Sequence, residues 1–207
     1  MLDFKKEFKA LYQPKTTPSI VDVPEMTFIM VDGKGDPNTS GEYAAAVELL
    51  YGLSYTIKMG NKAILEYVVP PLEGFWSVDD ETFKGGGAKI TDKSKFEWTM
   101  MIRQPDFVTE EIFLGAVETL KKKKPDVDTS KARLERLREG LCVQAMHLGS
   151  YDDEGETVAA IDAFAVQSGY VIDIGEGRRH HEIYLSDPRR VAPAKLKTVI
   201  RHPIRRA

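Results

Sequence analysis

Phe28-Ile-Met-Val-Asp-Gly-Lys-Gly35 runs through Thr39-Ser-Gly-Glu42 into Tyr43-Ala-Ala-Ala-Val-Glu-Leu-Leu50, and the chain then repeats the pattern. Cys142-Val-Gln-Ala-Met-His-Leu-Gly149, 114 positions on, runs through Asp153-Glu-Gly-Glu156 into Thr157-Val-Ala-Ala-Ile-Asp-Ala-Phe164. Gly35 matches Gly149, Thr39 matches Asp153, and Ala45-Ala-Val-Glu48 matches Ala159-Ala-Ile-Asp162. Two copies are too few for a solenoid. They predict one domain built from two related halves, with a ligand cleft between them.

The surrounding composition fits that frame. The 207 residues are 42% hydrophobic and 29% charged, which suits a globular core and excludes a disordered class. A net charge of −3 gives no bulk attraction to nucleic acid. No apolar run is long enough to span a bilayer, and the acidic start is no signal peptide, so no membrane association and a cytoplasmic location are expected. Cys142 is the single cysteine and sits in an apolar stretch, as a buried inert thiol does.

Residues 1–24 read as an appendage. Phe4, Phe8, Leu11 and Tyr12 fall at helical spacing, and Pro14, Pro18 and Pro24 predict an extended connector. The single domain then covers 25–207, with halves at about 25–104 and 139–207 joined by a helical segment, 109–138. In the first half a strand from Met26 to Val31 precedes a helix capped by Thr39 with Glu42 and ending near Gly52. Ile64–Val69 and Glu73–Val78 read as extended, Gly85-Gly-Gly87 as a loop, and Lys95–Arg103 as a strand. Thr109 caps a helix whose Ile112, Leu114, Val117 and Leu120 face the core. Lys121 to Lys124 form its solvated end, where cations suit the helix dipole. Ser130–Leu137 reads as a short helix. The second half offers a strand over Leu141–Leu148, a helix over Asp153–Gln167, and strands over His180–Leu185 and Lys195–Arg201. Strands following one another directly argue for α+β with antiparallel sheets and against a doubly wound parallel sheet.

Gly33-Lys-Gly35 lacks the dinucleotide spacing and is no P-loop, so it reads as a turn, and no cofactor is expected. His180-His181-Glu182 places His180 and Glu182 on one strand face and His181 on the other. Two ligands do not close a metal site, and no metal is expected. There is no Gly-x-Ser-x-Gly elbow for a serine nucleophile. What remains is aromatic: Trp76 in Pro71-Leu-Glu-Gly-Phe-Trp76, Trp98 in Phe96-Glu-Trp98-Thr-Met100, and Tyr184 beside Glu182. A carboxylate among aromatic walls can neutralise a cationic ligand or take a proton from water. The alternative is that the tryptophans are core and Glu182 pairs with Arg178, Arg179 or Arg189 at the surface. Tyr43, Tyr55, Met100 and Phe164 are further candidates for the wall.

Gly33-Lys-Gly-Asp-Pro-Asn38, Tyr51-Gly-Leu-Ser-Tyr-Thr-Ile-Lys58, Pro71-Leu-Glu-Gly-Phe-Trp76, Trp98-Thr-Met-Met-Ile-Arg-Gln-Pro105 and His181-Glu-Ile-Tyr-Leu-Ser-Asp-Pro188 with Lys195-Leu-Lys-Thr198 together resemble the stand-alone GyrI-like small-molecule-binding proteins. The resemblance covers about Glu25 to the end. It implies two strand–helix–strand–strand halves about a pseudo-two-fold, with Glu182 similar to the acid that receives cationic planar drugs in multidrug-responsive regulators. Stand-alone members include hydrolases that open the cyclopropane ring of DNA-alkylating cytotoxins. The chain lacks the regulators' helix-turn-helix, so transcriptional control is not expected. The resemblance thus leaves a hydrolase of flat electrophiles, with Glu182 activating water and Tyr184 donating to the leaving oxygen, against a non-catalytic drug-binding module. A gyrase-interacting inhibitor ranks third. The expected partners are aromatic or cationic small molecules, and the expected state is a monomer.

Overall fold

The computed structural model describes residues 1–78, 92–175 and 177–207. The loop at Gly85-Gly-Gly87 lies outside these. The first unit consists of β1 (Ser19–Lys34), α3 (Gly41–Gly60), β2 (Leu72–Val78) and β3 (Phe96–Gln104), preceded by the short helices α1 (Phe4–Glu7) and α2 (Lys9–Tyr12). Helix α4 (Glu110–Lys123) follows. The second unit is β4 (Ala132–Leu148), α5 (Gly155–Gln167), β5 (Tyr170–Ile172), β6 (His180–Tyr184) and β7 (Lys197–Arg206).

Among the described residues the named strands all pair antiparallel, and the order β4-β1-β3-β2-β6-β7 closes because β4 also pairs β7. The result is an α+β fold around a barrel-like closed sheet. The units meet at two seams, β1 with β4 and β2 with β6, so each seam joins a strand to its counterpart. The register respects the repeat. Ser19 faces Gln144 and Met30 faces Arg133, pairs that exchange under the 114-residue offset. Gly35 and Gly149 both take positive φ (101° and 141°) at the ends of β1 and β4, a backbone turn that glycine adopts freely.

Both faces of the strands are covered, which explains the continuous apolar run Phe28-Ile-Met-Val31. Phe28, Phe75, Met101, Cys142, Ile183 and Val199, one from each ring strand, fill the interior. Ile29, Val31, Trp98, Met100 and Ile102 point outward under α3 and α4. Val143, Ala145 and Ile200 point outward under α5.

Several sequence expectations are corrected. Residues 1–24 are no appendage: Phe4, Leu11 and Tyr12 are buried in the interior cluster, and β1 begins at Ser19. Pro24 lies inside that strand, where β1 pairs on one side only and a missing N–H is tolerated. Ile64–Val69 makes a single bridge, Tyr67 to Leu2. Ser40, not Thr39, caps α3, its Oγ accepting from the Tyr43 N–H. Helix α3 continues past Gly52 to Gly60, because Gly52 packs against α4: an added Cβ would stand 3.2 Å from the Leu120 side chain. Thr109 does cap α4, but Leu114 is exposed, with Phe113 and Ala116 in the core. Ser130–Leu137 is not a helix; from Ala132 it is strand, paired with β1. Asp153 does not cap α5, which starts at Gly155 with Glu154 before it.

Candidate ligand-binding and catalytic site

The β2/β6 seam forms the floor of the site. Gly74 pairs directly with Glu182. A Cβ on Gly74 would stand 2.9 Å from both Trp76 Nε1 and Met100 Sδ, so the glycine makes room for the indole to lie across the seam. Trp76 Nε1–H then donates to the Tyr184 oxygen at 2.8 Å. An indole nitrogen can only donate, so the Tyr184 hydroxyl turns its own proton onward, to Glu182 Oε2 at 2.7 Å. Glu182 Oε1 lies 2.9 Å from His180 Nε2. Strand alternation puts His180, Glu182 and Tyr184 on this outer face and sends His181 inward.

The two helices wall the floor. Tyr43, at the start of α3, stacks over Trp76 at 6.1 Å between centroids. Tyr51 and Tyr55 continue that wall. On the other side Tyr151 meets the edge of Tyr184 at 5.7 Å, followed by Glu154, Val158 and Asp162. The cleft encloses about 2370 Å³, which exceeds the roughly 300–1,000 Å³ of a drug-sized site and admits an extended ligand. Among the described residues, nine carboxylic side chains and four lysines or arginines line it, an acidic balance that suits cationic or neutral guests.

Two carboxyl groups share the cleft with opposite tendencies. Burial pushes Glu154 well above the ordinary carboxyl range, and the neighbouring Glu182 charge adds to the effect. Burial also acts to raise Glu182, but bonds from His180, Tyr184 and Glu154 outweigh it and hold Glu182 below its usual value. Glu154 therefore keeps its proton while Glu182 is ionised. Burial and Glu182 together raise Tyr184 well above 10.0, so its hydroxyl stays a donor.

The candidates divide by position. Tyr43, Trp76, Glu182 and Tyr184 line the cleft, and Tyr55 lies at its outer end, 51% exposed. Trp98 and Met100 do not line it. Both are buried beneath the floor, Trp98 flat against Gly33, where an added Cβ would overlap the ring at 2.1 Å. Phe164 packs with the cluster under α5. Glu182 has no arginine partner among the bonds it makes to described residues; Arg178 pairs Asp173 and Arg189 pairs Asp187. Sequence reasoning missed Glu154, Tyr151 and His202. Glu154 carries a signal in the repeat, an acid just before the second long helix. Glu154, His180 and Glu182 each place a donor atom within 4.8 Å of the others. Because these atoms bond one another, the group is a hydrogen-bonded network. Cys142 lies elsewhere, inside the ring, its thiol pushed up to about 12 by burial.

Comparison with known proteins agrees with this architecture. An uncharacterized conserved protein from Listeria innocua shares 48% identity and superposes with a TM-score of 0.92, covering 99% of this chain and 100% of its own. A hydrolase from the same organism shares 47% identity at a TM-score of 0.89, with coverage of 99% and 100%. The EcmrR C-terminal domain, at 13% identity and a TM-score of 0.55 over 92% of this chain and 98% of its own, shares the fold. No curated protein matches the chain. The model of the GyrI-like small molecule binding domain matches residues 16–205, which spans both units and the cleft between them, and the chain belongs to that family.

Proposed function

We propose that the chain binds flat aromatic molecules in this cleft and hydrolyses electrophilic ones, of which strained cyclopropanoids are the type implied by its family resemblance. The observation that carries the reading is the buried Glu154–Glu182 carboxyl pair beneath aromatic walls, Glu154 pushed above the ordinary range by burial and Glu182 held below it by its hydrogen-bond donors. Such separation is how a base and an acid operate together at neutral pH. Glu182 takes a proton from water as the oxygen attacks the strained carbon. The ring bond breaks toward the conjugated carbonyl, and Glu154 gives its proton to the resulting oxyanion. Proton transfer from Glu182 back to Glu154 restores the pair, so the net change is addition of one water. Tyr184 is bonded to Glu182 and orients it, which moves the donor role expected of Tyr184 to Glu154. The Listeria innocua hydrolase, at 47% identity, supports a catalytic over a purely binding reading.

The test uses a spirocyclopropyl cyclohexadienone probe and mass spectrometry. Turnover gives a product heavier by one water, and Glu182→Gln reduces its rate by roughly 10²–10⁴-fold while probe affinity is retained. The acidic lining favours a second reading, sequestration of cationic aromatics. Probe recovered unchanged, with a cationic dye bound by the wild type and lost in Glu182→Gln, selects that reading.

A further inference from the structure

From Glu182 the floor continues into three linked hydrogen bonds that the chemistry above does not use. His180 Nε2 faces Glu182 Oε1 at 2.9 Å, His180 Nδ1 faces His202 Nε2 at 2.7 Å, and His202 Nδ1 faces Asp162 Oδ1 at 2.6 Å. The two imidazoles are 4% and 2% exposed, while the Asp162 side chain on α5 is 19% exposed. The line thus runs along the outer face of the sheet, from β6 to β7, to a partly exposed carboxylate on the α5 side of the same cleft.

Hydrogen-bond polarity sets the proton count. The Asp162 carboxylate accepts, so His202 presents Nδ1–H to it. The Glu182 carboxylate at the other end also accepts, so His180 presents Nε2–H to it. The contact between His180 Nδ1 and His202 Nε2 then needs a third proton, on one ring or the other. Three links require three protons, and two neutral imidazoles hold two. The two rings together therefore carry one proton beyond the neutral count.

We propose that Asp162, His202 and His180 are positioning residues whose enforced polarity holds an extra proton, and so a positive charge, on the two rings beside Glu182, which keeps Glu182, rather than Glu154, the ionised member of the carboxyl pair. The inference rests on reading Glu182 as the base, and it assigns the choice of base to a residue on another element. Asp162 lines the cleft but acts on Glu182 through the two rings, without bonding it directly.

Asp162→Asn separates this role from a structural one. Asparagine can donate Nδ2–H to His202 Nδ1, which reverses that link and leaves two for the rings to fill: His202 Nε2–H to His180 Nδ1, and His180 Nε2–H to Glu182. All contacts are then satisfied by neutral rings, and the extra proton is no longer required. The described groups that face Glu182 and must be held constant are His180 and Tyr184 on β6, Glu154 and Tyr151 before α5, His202 on β7 and Tyr43 on α3. Imidazole ¹⁵N spectra of the unliganded full chain read the tautomers, and a carboxyl ¹³C titration, assigned by loss of the Glu182→Gln signal, reads Glu182. The expected result is His202 with Nδ1–H in the wild type and Nε2–H in Asp162→Asn, with the Glu182 titration moving to higher pH in the variant. Unchanged tautomers, or an unchanged Glu182 titration with intact secondary structure, overturn the proposal. Because neither measurement uses turnover, it stands or falls separately from the hydrolase reading, which the product mass decides.

Discussion

At the residue scale the carboxyl pair makes a firm demand on pH. The proposed reaction needs Glu182 ionised and Glu154 protonated. Its rate is therefore expected to fall on the acid side as pH drops through the lowered Glu182 value, and on the basic side as pH rises through the raised Glu154 value. Glu154→Gln should abolish the basic limb of kcat/KM while leaving the acid limb. A basic limb that persists in the variant assigns the acid elsewhere. Glu182 was legible because a strand alternates: His180, Glu182 and Tyr184 had to share a face once β6 was recognised. Glu154 was not legible, because its direction depends on α5 starting after it, and that start is set by packing over the sheet. The tryptophans show the same limit. Composition marks both as large aromatic anchors, but only register separates Trp76, opened to the cleft by Gly74, from Trp98, pressed on Gly33. Trp98→Ala is accordingly expected to cost about 3–5 kcal/mol of stability as a core truncation, measured by denaturant unfolding. A loss under about 1 kcal/mol contradicts that placement.

Elements were legible where local chemistry and packing agreed. Both central helices follow their strands at the spacing the repeat requires, and the Thr109 cap holds, its hydroxyl accepting from the Ile112 N–H. Ala132-Arg-Leu-Glu-Arg-Leu-Arg138 is rich in good helix formers, yet it is strand. Twelve paired positions along β1 offset a weak propensity that tertiary context commonly overrides. Helix α3 outlasted its expected end for a comparable reason, since Gly52 serves a close helix contact. Its start depends on Ser40, so Ser40→Ala should destabilise the protein by about 1 kcal/mol, and Thr39→Ala by much less. Thermal unfolding of the two variants gives the comparison, and the reverse order would restore Thr39 as the cap.

The whole molecule is held together from inside the ring by a buried ionic cluster. Glu139 bonds His181 Nδ1 and Arg201, each at 3.0 Å, while His181 Nε2 lies 3.0 Å from Glu73. Arg201 also donates to the Leu11 carbonyl, and the Tyr12 hydroxyl donates to Glu73, which ties the N-terminal helices to the interior. Burial acts to raise Glu139, but His181 and Arg201 outweigh it and hold its carboxyl at about 2, against an ordinary 4.5. A depressed folded value means stability that is fully present above 4.5 and lost as pH falls toward 2, on the order of 3 kcal/mol. Glu139→Gln leaves His181 and Arg201 buried without their carboxylate and should cost about 3–5 kcal/mol at neutral pH, while flattening that acid transition. Urea unfolding of wild type and variant at several pH values checks both points. None of this cluster could be read in advance, since its members lie far apart in sequence and meet only when the ring closes.

The pairing of Gly74 with Glu182 has a directional consequence. The seam on which they meet is where the two units mirror each other, and a perfectly mirrored floor would offer a guest two equivalent ways to lie. One side of the seam carries a carboxylate and the other carries nothing, so the floor has a head and a tail. A guest with its reactive or positive end on one side gains the Glu182 contact in one orientation and forfeits it when turned around. The fold repeats one unit, and the absence of a side chain at Gly74 lets the floor distinguish the two ends of what lies on it.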